Sequence, residues 1–135
     1  MAEQMAAWSG IPFVALRFSN IMSLADYTRF PSWQDDPHAR KWNLWGYIDQ
    51  RDVALSCRLA LEANTGAVTG NPAFIIAAAD TVMNRPSRDL MAEVFPAVPY
   101  RPTEGDFDSL LSTRKAHKLL GYEPKWSWRD HIAGT

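Results

Sequence analysis

The stretch GIPFVALRFSNIM, Gly10 to Met22, decides how this chain is read. Phe13 to Phe18 is a short, nearly unbroken apolar run that ends at Arg17-Phe18-Ser19-Asn20. Such a run is expected to be a strand buried on both faces, in the middle of a parallel sheet. Before it, Ala2 to Trp8 is rich in Ala, Glu, Gln and Met and predicts a helix. Ser9-Gly10 stops that helix and Pro12 follows, as is common after a C-terminus. Helix, tight turn and strand make half of a crossover connection, the unit that parallel strands need. The expected fold class is therefore α/β.

The remaining chain carries the same alternation. Met22 to Tyr47 is irregular and aromatic, interrupted by Pro31 and Pro37, with a short strand expected near Gly46 to Ile48. Asp49 is placed to cap the helix QRDVALSCRLALEA, whose apolar face is expected at Val53, Cys57, Ala60 and Leu61, widened by Ala54 and Leu55. Asn64 to Gly66 ends it. Phe74 to Ala78 is a second strand. A helix follows over Ser87 to Val94, with Pro86 near its first position. VPYR is expected as one more short strand. Ser112 is expected to cap TRKAHKLL, and Gly121 to close it. The Trp-rich tail GYEPKWSWRDHI is expected to fold back on the body.

Composition narrows the function classes. The 135 residues are about one domain's worth, and 47% hydrophobic against 21% charged is globular rather than disordered composition. With 14 basic and 15 acidic residues there is no concentrated basic surface, so a nucleic-acid partner is not expected. No apolar run of about 18 residues is present, so no membrane span is expected. MAEQMAAW has neither a basic n-region nor an apolar h-region, and so does not read as a secretory signal. Cys57 is the only cysteine, which excludes an internal disulfide and fits a cytoplasmic setting. In its helix it is expected to be a buried, inert thiol.

Four stretches in order, GIPFVALRFSNI, WGYIDQRDVALSCRLALE, AFIIAAADTVM and LLSTRKAHKLLGYEPKWSWRD, resemble the extended short-chain dehydrogenases, or NAD-dependent epimerase/dehydratases. The resemblance covers nearly the whole chain. It implies a Rossmann-type enzyme with a smaller C-terminal substrate region, in which a glycine-rich turn holds NAD or NADP and a Tyr-x-x-x-Lys pair does the chemistry. Glu3 fits a Glu that follows this Lys in the family, which would put the Lys just upstream of Met1. Neither that pair nor a G-x-x-G-x-x-G motif occurs here. The resemblance therefore implies the C-terminal fragment of such an enzyme. Residues 1–21 would be the end of the Rossmann-type sheet, with one or two parallel strands, and 22–135 a small mixed helix and strand substrate-binding region.

By the same resemblance, Phe18, Ser19, Asn20 and Ile21 would lie beside the cofactor. Asn20 can donate and accept hydrogen bonds, or can cap the turn that follows. Trp33, Arg40, Trp42, Trp45 and Arg51 are the substrate-side candidates. Trp faces suit sugar rings or flat ligands, and Arg40 or Lys41 a phosphate or carboxylate, although Trp residues can equally plug a small core. Arg51 could reach the substrate or pair with Asp52 or a distant carboxylate. Asp49 is expected as a helix cap. Asp35-Asp36 are adjacent in sequence only and do not make a glycosidase pair. His38, His117 and His131 have no metal-ligand spacing, and no metal is expected.

These residues lead to one main function and one alternative. The first is the substrate-binding part of an NAD(P)-dependent epimerase/dehydratase-like oxidoreductase, acting on a nucleotide-sugar-like or other hydroxylated small molecule. Alone it would bind no NAD tightly and carry no redox activity. The alternative is a non-catalytic binding or oligomerisation module, associating through the strand at residues 13–18. A start codon placed at an internal Met of a longer enzyme would also account for the absent motifs.

Overall fold

The computed structural model describes residues 1–63 and 66–131. The chain opens with helix α1, Ala2–Ser9, closed by Gly10 in the left-handed region at φ 70°. Strand β1, Ala15–Phe18, is followed by β2, Ile21–Met22, and the short helix α2, Leu24–Tyr27. Two 3₁₀ turns, Phe30–Trp33 and Pro37–Asn43, lead to β3, Ile48–Asp49. Helix α3, Gln50–Glu62, strand β4, Ala73–Ile76, and helices α4, Ser87–Val94, and α5, Arg114–Leu120, complete the regular elements, before a last 3₁₀ turn at Trp128–Asp130.

The fold is mixed α/β with two small parallel sheets. β1 pairs with β4, Ala15 opposite Ala73 and Phe18 opposite Ile76, and β2 pairs with β3. The chain therefore leaves one sheet at Phe18 and joins the other at Ile21, so that Ser19 and Asn20 connect the two sheets. β1–β4 also ties residues near the start of the chain to residues in the seventies, so the first sheet is not confined to residues 1–21.

Two apolar clusters form the core. One gathers Tyr27, Phe30, Trp45, Tyr47, Met83, Leu90 and Trp128. The other packs Ile48, Phe74, Ile76, Ala116 and Tyr122 beneath α3 and α5. The tail folds back as expected, with Trp128 sealed in the first cluster. Two carboxylates, one buried and one half-buried, fasten it there. Asp52 on α3 accepts from the backbone N–H groups of Lys125 and Trp126, at 3.0 and 3.2 Å. Asp80 accepts from the Tyr47 hydroxyl, Ser127 Oγ and Arg129 Nε.

Several expectations are corrected. β1 is not buried on both faces: its first two residues are half-buried and its last two exposed, because its sheet has only one neighbouring strand. The fully buried positions of α3 are Asp52 and Ser56, while Val53 and Ala60 of the expected stripe are half-buried against the second cluster. Cys57 is exposed, and Leu61 is 89% exposed. VPYR forms no strand. Thr113, not Ser112, occupies the cap position of α5, and without a side-chain bond. α3 ends at Glu62, and Asn64 of the expected terminator lies outside the described residues. Among the described residues, no helix is long and apolar enough to cross a membrane.

Candidate functional site

A cleft of about 250 Å³ opens where β1 ends, lined by Phe18, Ser19, Asn20, Trp42, Asn43, Leu44 and Leu111. Its position follows from the sheet. It lies at the carboxyl end of a parallel strand, the usual ligand position in open α/β folds. Ser19 and Asn20 enter it because they span the gap between β1 and β2. The Asn20 carbonyl accepts from Ile48 N–H at 2.9 Å, which fixes the backbone at this point.

The opposite wall is a strained turn. Leu44 and Trp45 both adopt the left-handed region, with φ 54° and 55°. Consecutive non-glycine residues in this conformation cost about 1–2 kcal/mol each and persist only where surrounding contacts hold them. Here the Trp45 indole N–H donates to the Pro37 carbonyl at 2.7 Å, and Asn43 Nδ2 donates to the Gly46 carbonyl at 2.8 Å. Gly46 closes the turn where no side chain fits. A Cβ there would meet Leu111 Cδ1 at 2.7 Å and Ser19 Oγ at 3.0 Å. The glycine thus lets the turn sit directly against Ser19.

Two buried polar atoms in this region have no hydrogen-bond partner, Ser19 Oγ and Asn43 Oδ1. Buried polar groups are almost always paired, because leaving one unpaired costs about 1–3 kcal/mol. Both can accept a hydrogen bond. Among the described residues the Asn20 side chain also has no partner. It does not cap α2, which Ser23 and Asp26 close with a reciprocal capping box.

Of the residues singled out in the sequence, Phe18, Ser19, Asn20 and Trp42 meet at this cleft. Ile21 sits in β2, 52% exposed, outside the lining. Arg40 is buried behind Trp42, with Trp33 on another side. Trp45 is fully buried and serves the core. Arg51 lies elsewhere: it grips Asp49 with Nε and Nη2, both at 2.8 Å, and lies over the Trp126 ring. Its partner is thus Asp49 and not Asp52.

Asp49 is itself fully buried and also takes the Tyr27 hydroxyl. Burial pushes its carboxyl up, but the Arg51 and Tyr27 bonds outweigh this and hold it below its ordinary value. Burial and the Asp49 carboxylate raise the Tyr27 hydroxyl far above the phenol range, so it stays a donor. His131 stacks on Tyr27 at 5.8 Å and closes this cluster from the tail side. Asp49, besides capping α3 through Arg51 N–H, therefore locks α2 to the start of α3.

Asn43, Leu44, Gly46 and Leu111 were not singled out from the sequence. An amide beside Trp42 was a weak signal for Asn43, whereas nothing in the LLST stretch marks Leu111. Comparison with protein families and with curated proteins returns no match for the chain.

Proposed function

We propose that the chain is the nicotinamide- and substrate-side part of an NAD(P)-dependent epimerase/dehydratase-like oxidoreductase, without redox activity of its own. The ordered sequence resemblance supports this reading, as does a crevice at the carboxyl end of a parallel strand. The observation that carries it is the pair of buried acceptors without partners, Ser19 Oγ and Asn43 Oδ1, beside that crevice. A carboxamide NH₂ offers two donors, and Trp42 and Phe18 offer ring faces for a flat heterocycle. Ser19, Asn43 and Asn20 would orient the nicotinamide carboxamide. When bound, the nicotinamide ring accepts or returns hydride. A Rossmann-type sheet completed by further strands would cover the open side of β1. The substrate would be a hydroxylated small molecule entering past Trp42.

The test uses nicotinamide riboside, which carries the ring and no phosphate. In ¹H–¹⁵N spectra of the chain, millimolar riboside is expected to shift the Ser19 and Asn43 amides and the Trp42 indole, and adenosine is not. Absence of those shifts overturns the reading. So does NADH quenching of Trp fluorescence that saturates at low micromolar concentration, since this would mean a complete dinucleotide site.

The open strand favours a second reading, an association module. Phe13, Ala15 and Ser19 donate toward β4, so the alternating donors of Leu16 and Phe18 face the unpaired edge. Exposed Trp8, Ile11 and Phe13 extend this edge into an apolar patch. Light scattering that finds a dimer in the wild type and a monomer in F13K would favour this reading.

A further inference from the structure

The most unusual charge in the molecule is Arg40. It is 8% exposed, and its Nε and Nη2 have no hydrogen-bond partner. Asp35 and Asp36 precede it by five and four residues, yet neither pairs with it. Asp36 instead accepts from the His38 N–H. What surrounds the guanidinium is aromatic: the Trp33 ring at 4.2 Å and the Trp42 ring at 5.6 Å. A second cation adds to it. Arg29 lies over the same Trp33 ring at 5.6 Å, and its own ion partner, Asp26, is 3.8 Å away and partly exposed. Burial, and then Arg29, push the Arg40 guanidinium below its ordinary value.

An uncompensated buried cation is costly, and ring faces replace only part of the lost hydration. An arginine is rarely kept so unless an anion arrives from outside. We propose that Arg40, with Arg29 over the same Trp33 ring, is the receptor for a phosphoryl group of the ligand that enters beside Trp42. Of the two guanidiniums only Arg29 has a carboxylate partner, so an arriving anion meets an uncompensated positive charge at Arg40. The free Nε and Nη2 form the fork that takes two oxygens of one anion. Trp42, 67% exposed, lines the cleft and also lies 5.6 Å from the guanidinium, which sets the fork one exposed side chain away from the cleft.

This proposal rests on the reading of the Trp42 cleft as the substrate side, but its test is separate, because nicotinamide riboside carries no phosphate. Thermal melts of the whole chain are recorded in sodium phosphate, sodium acetate and sodium chloride at matched ionic strength. Saturating phosphate is expected to raise Tm by about 3–5 °C over chloride, with acetate well below that. R40M keeps the stem and removes the charge. It is expected to melt in chloride no lower than the wild type and to lose the phosphate response. The Arg40 Nε–H resonance of the wild type should shift on phosphate addition, a readout that needs no variant. A wild type that responds equally to phosphate and chloride overturns the proposal. So does an R40M that keeps the phosphate response, or one that melts well below the wild type in chloride, which would make Arg40 a packing residue. An acetate response equal to that of phosphate overturns the phosphoryl assignment.

Discussion

Replacing Trp128 by alanine should cost more than any change in the cleft itself. The side chain is fully buried. Its indole N–H donates to the Thr81 carbonyl at 2.8 Å, and its backbone N–H to the Tyr47 hydroxyl at 3.0 Å. Truncating a buried Trp to Ala costs about 3–5 kcal/mol. The Thr81 carbonyl retains Arg129 Nη2 at 3.4 Å, so the lost donor adds little. Out of a total of about 5–15 kcal/mol, this is roughly a fifth of the stability or more, or about 10–15 °C in Tm. W128F, which keeps a ring and loses the N–H, should cost about 1.5–2.5 kcal/mol. The effect should also reach the candidate site. Trp128 meets Phe30 edge-on at 5.3 Å, Phe30 lies 5.1 Å from Trp33, and Trp33 underlies Arg40. Urea unfolding followed by Trp fluorescence measures the first effect, and the phosphate response in melts the second. A W128A protein within 1 kcal/mol of the wild type would show that the tail does not complete the core.

Further outcomes follow from single contacts. Y27F removes the hydroxyl bond to Asp49 and should cost about 1–2 kcal/mol in urea unfolding, since the acceptor is charged and buried. Burial chiefly raises the Asp52 carboxyl above its ordinary 3.8, so its contribution to stability is full below that pH and is lost as pH rises through the folded value. D52N should therefore show a shallower fall in Tm above about pH 4 than the wild type. G46A forces a methyl against Leu111 and Ser19. It should cost about 1–3 kcal/mol and abolish the riboside shifts at Ser19. The exposed Cys57 should react with a thiol reagent in the native protein as fast as a free thiol; a need for denaturant would overturn its placement.

Local rules read the helices well and the environments poorly. α4 spans Ser87–Val94 as the Pro86 signal implies, and Gly10 and Gly121 close their helices where expected, both in the left-handed conformation. The face of α3 is legible only in part: Val53 and Ala60 pack on the core, but its fully buried positions are Asp52 and Ser56. A polar residue satisfied by a distant tail is invisible to hydrophobic periodicity, which assumes that burial and apolarity coincide. The double burial of β1 failed for a related reason: composition reports what a strand tolerates, while exposure depends on how many neighbours its sheet has. At the cleft, Ser19 and Asn20 were marked by the family resemblance, which puts the residues after this strand beside the cofactor. Asn43 and Gly46 were not, because the left-handed backbone at Leu44 and Trp45 that turns them toward Ser19 is imposed by tertiary contacts on residues without that preference.

The β1–β4 pairing also sets the order in which the molecule can assemble. Parallel partners cannot meet through a hairpin, so Ala15 must wait for Ala73, with the aromatic loop, β3 and α3 between them. Emerging from the ribosome, the chain presents the apolar Phe13 to Phe18 segment long before its partner exists, and the first core cluster stays open until Trp128 is made. Closure of such long loops has an entropic cost that must be met before the contacts form, which slows folding relative to a local helical topology. During synthesis this early segment is the part of the chain with most need of a chaperone's cover.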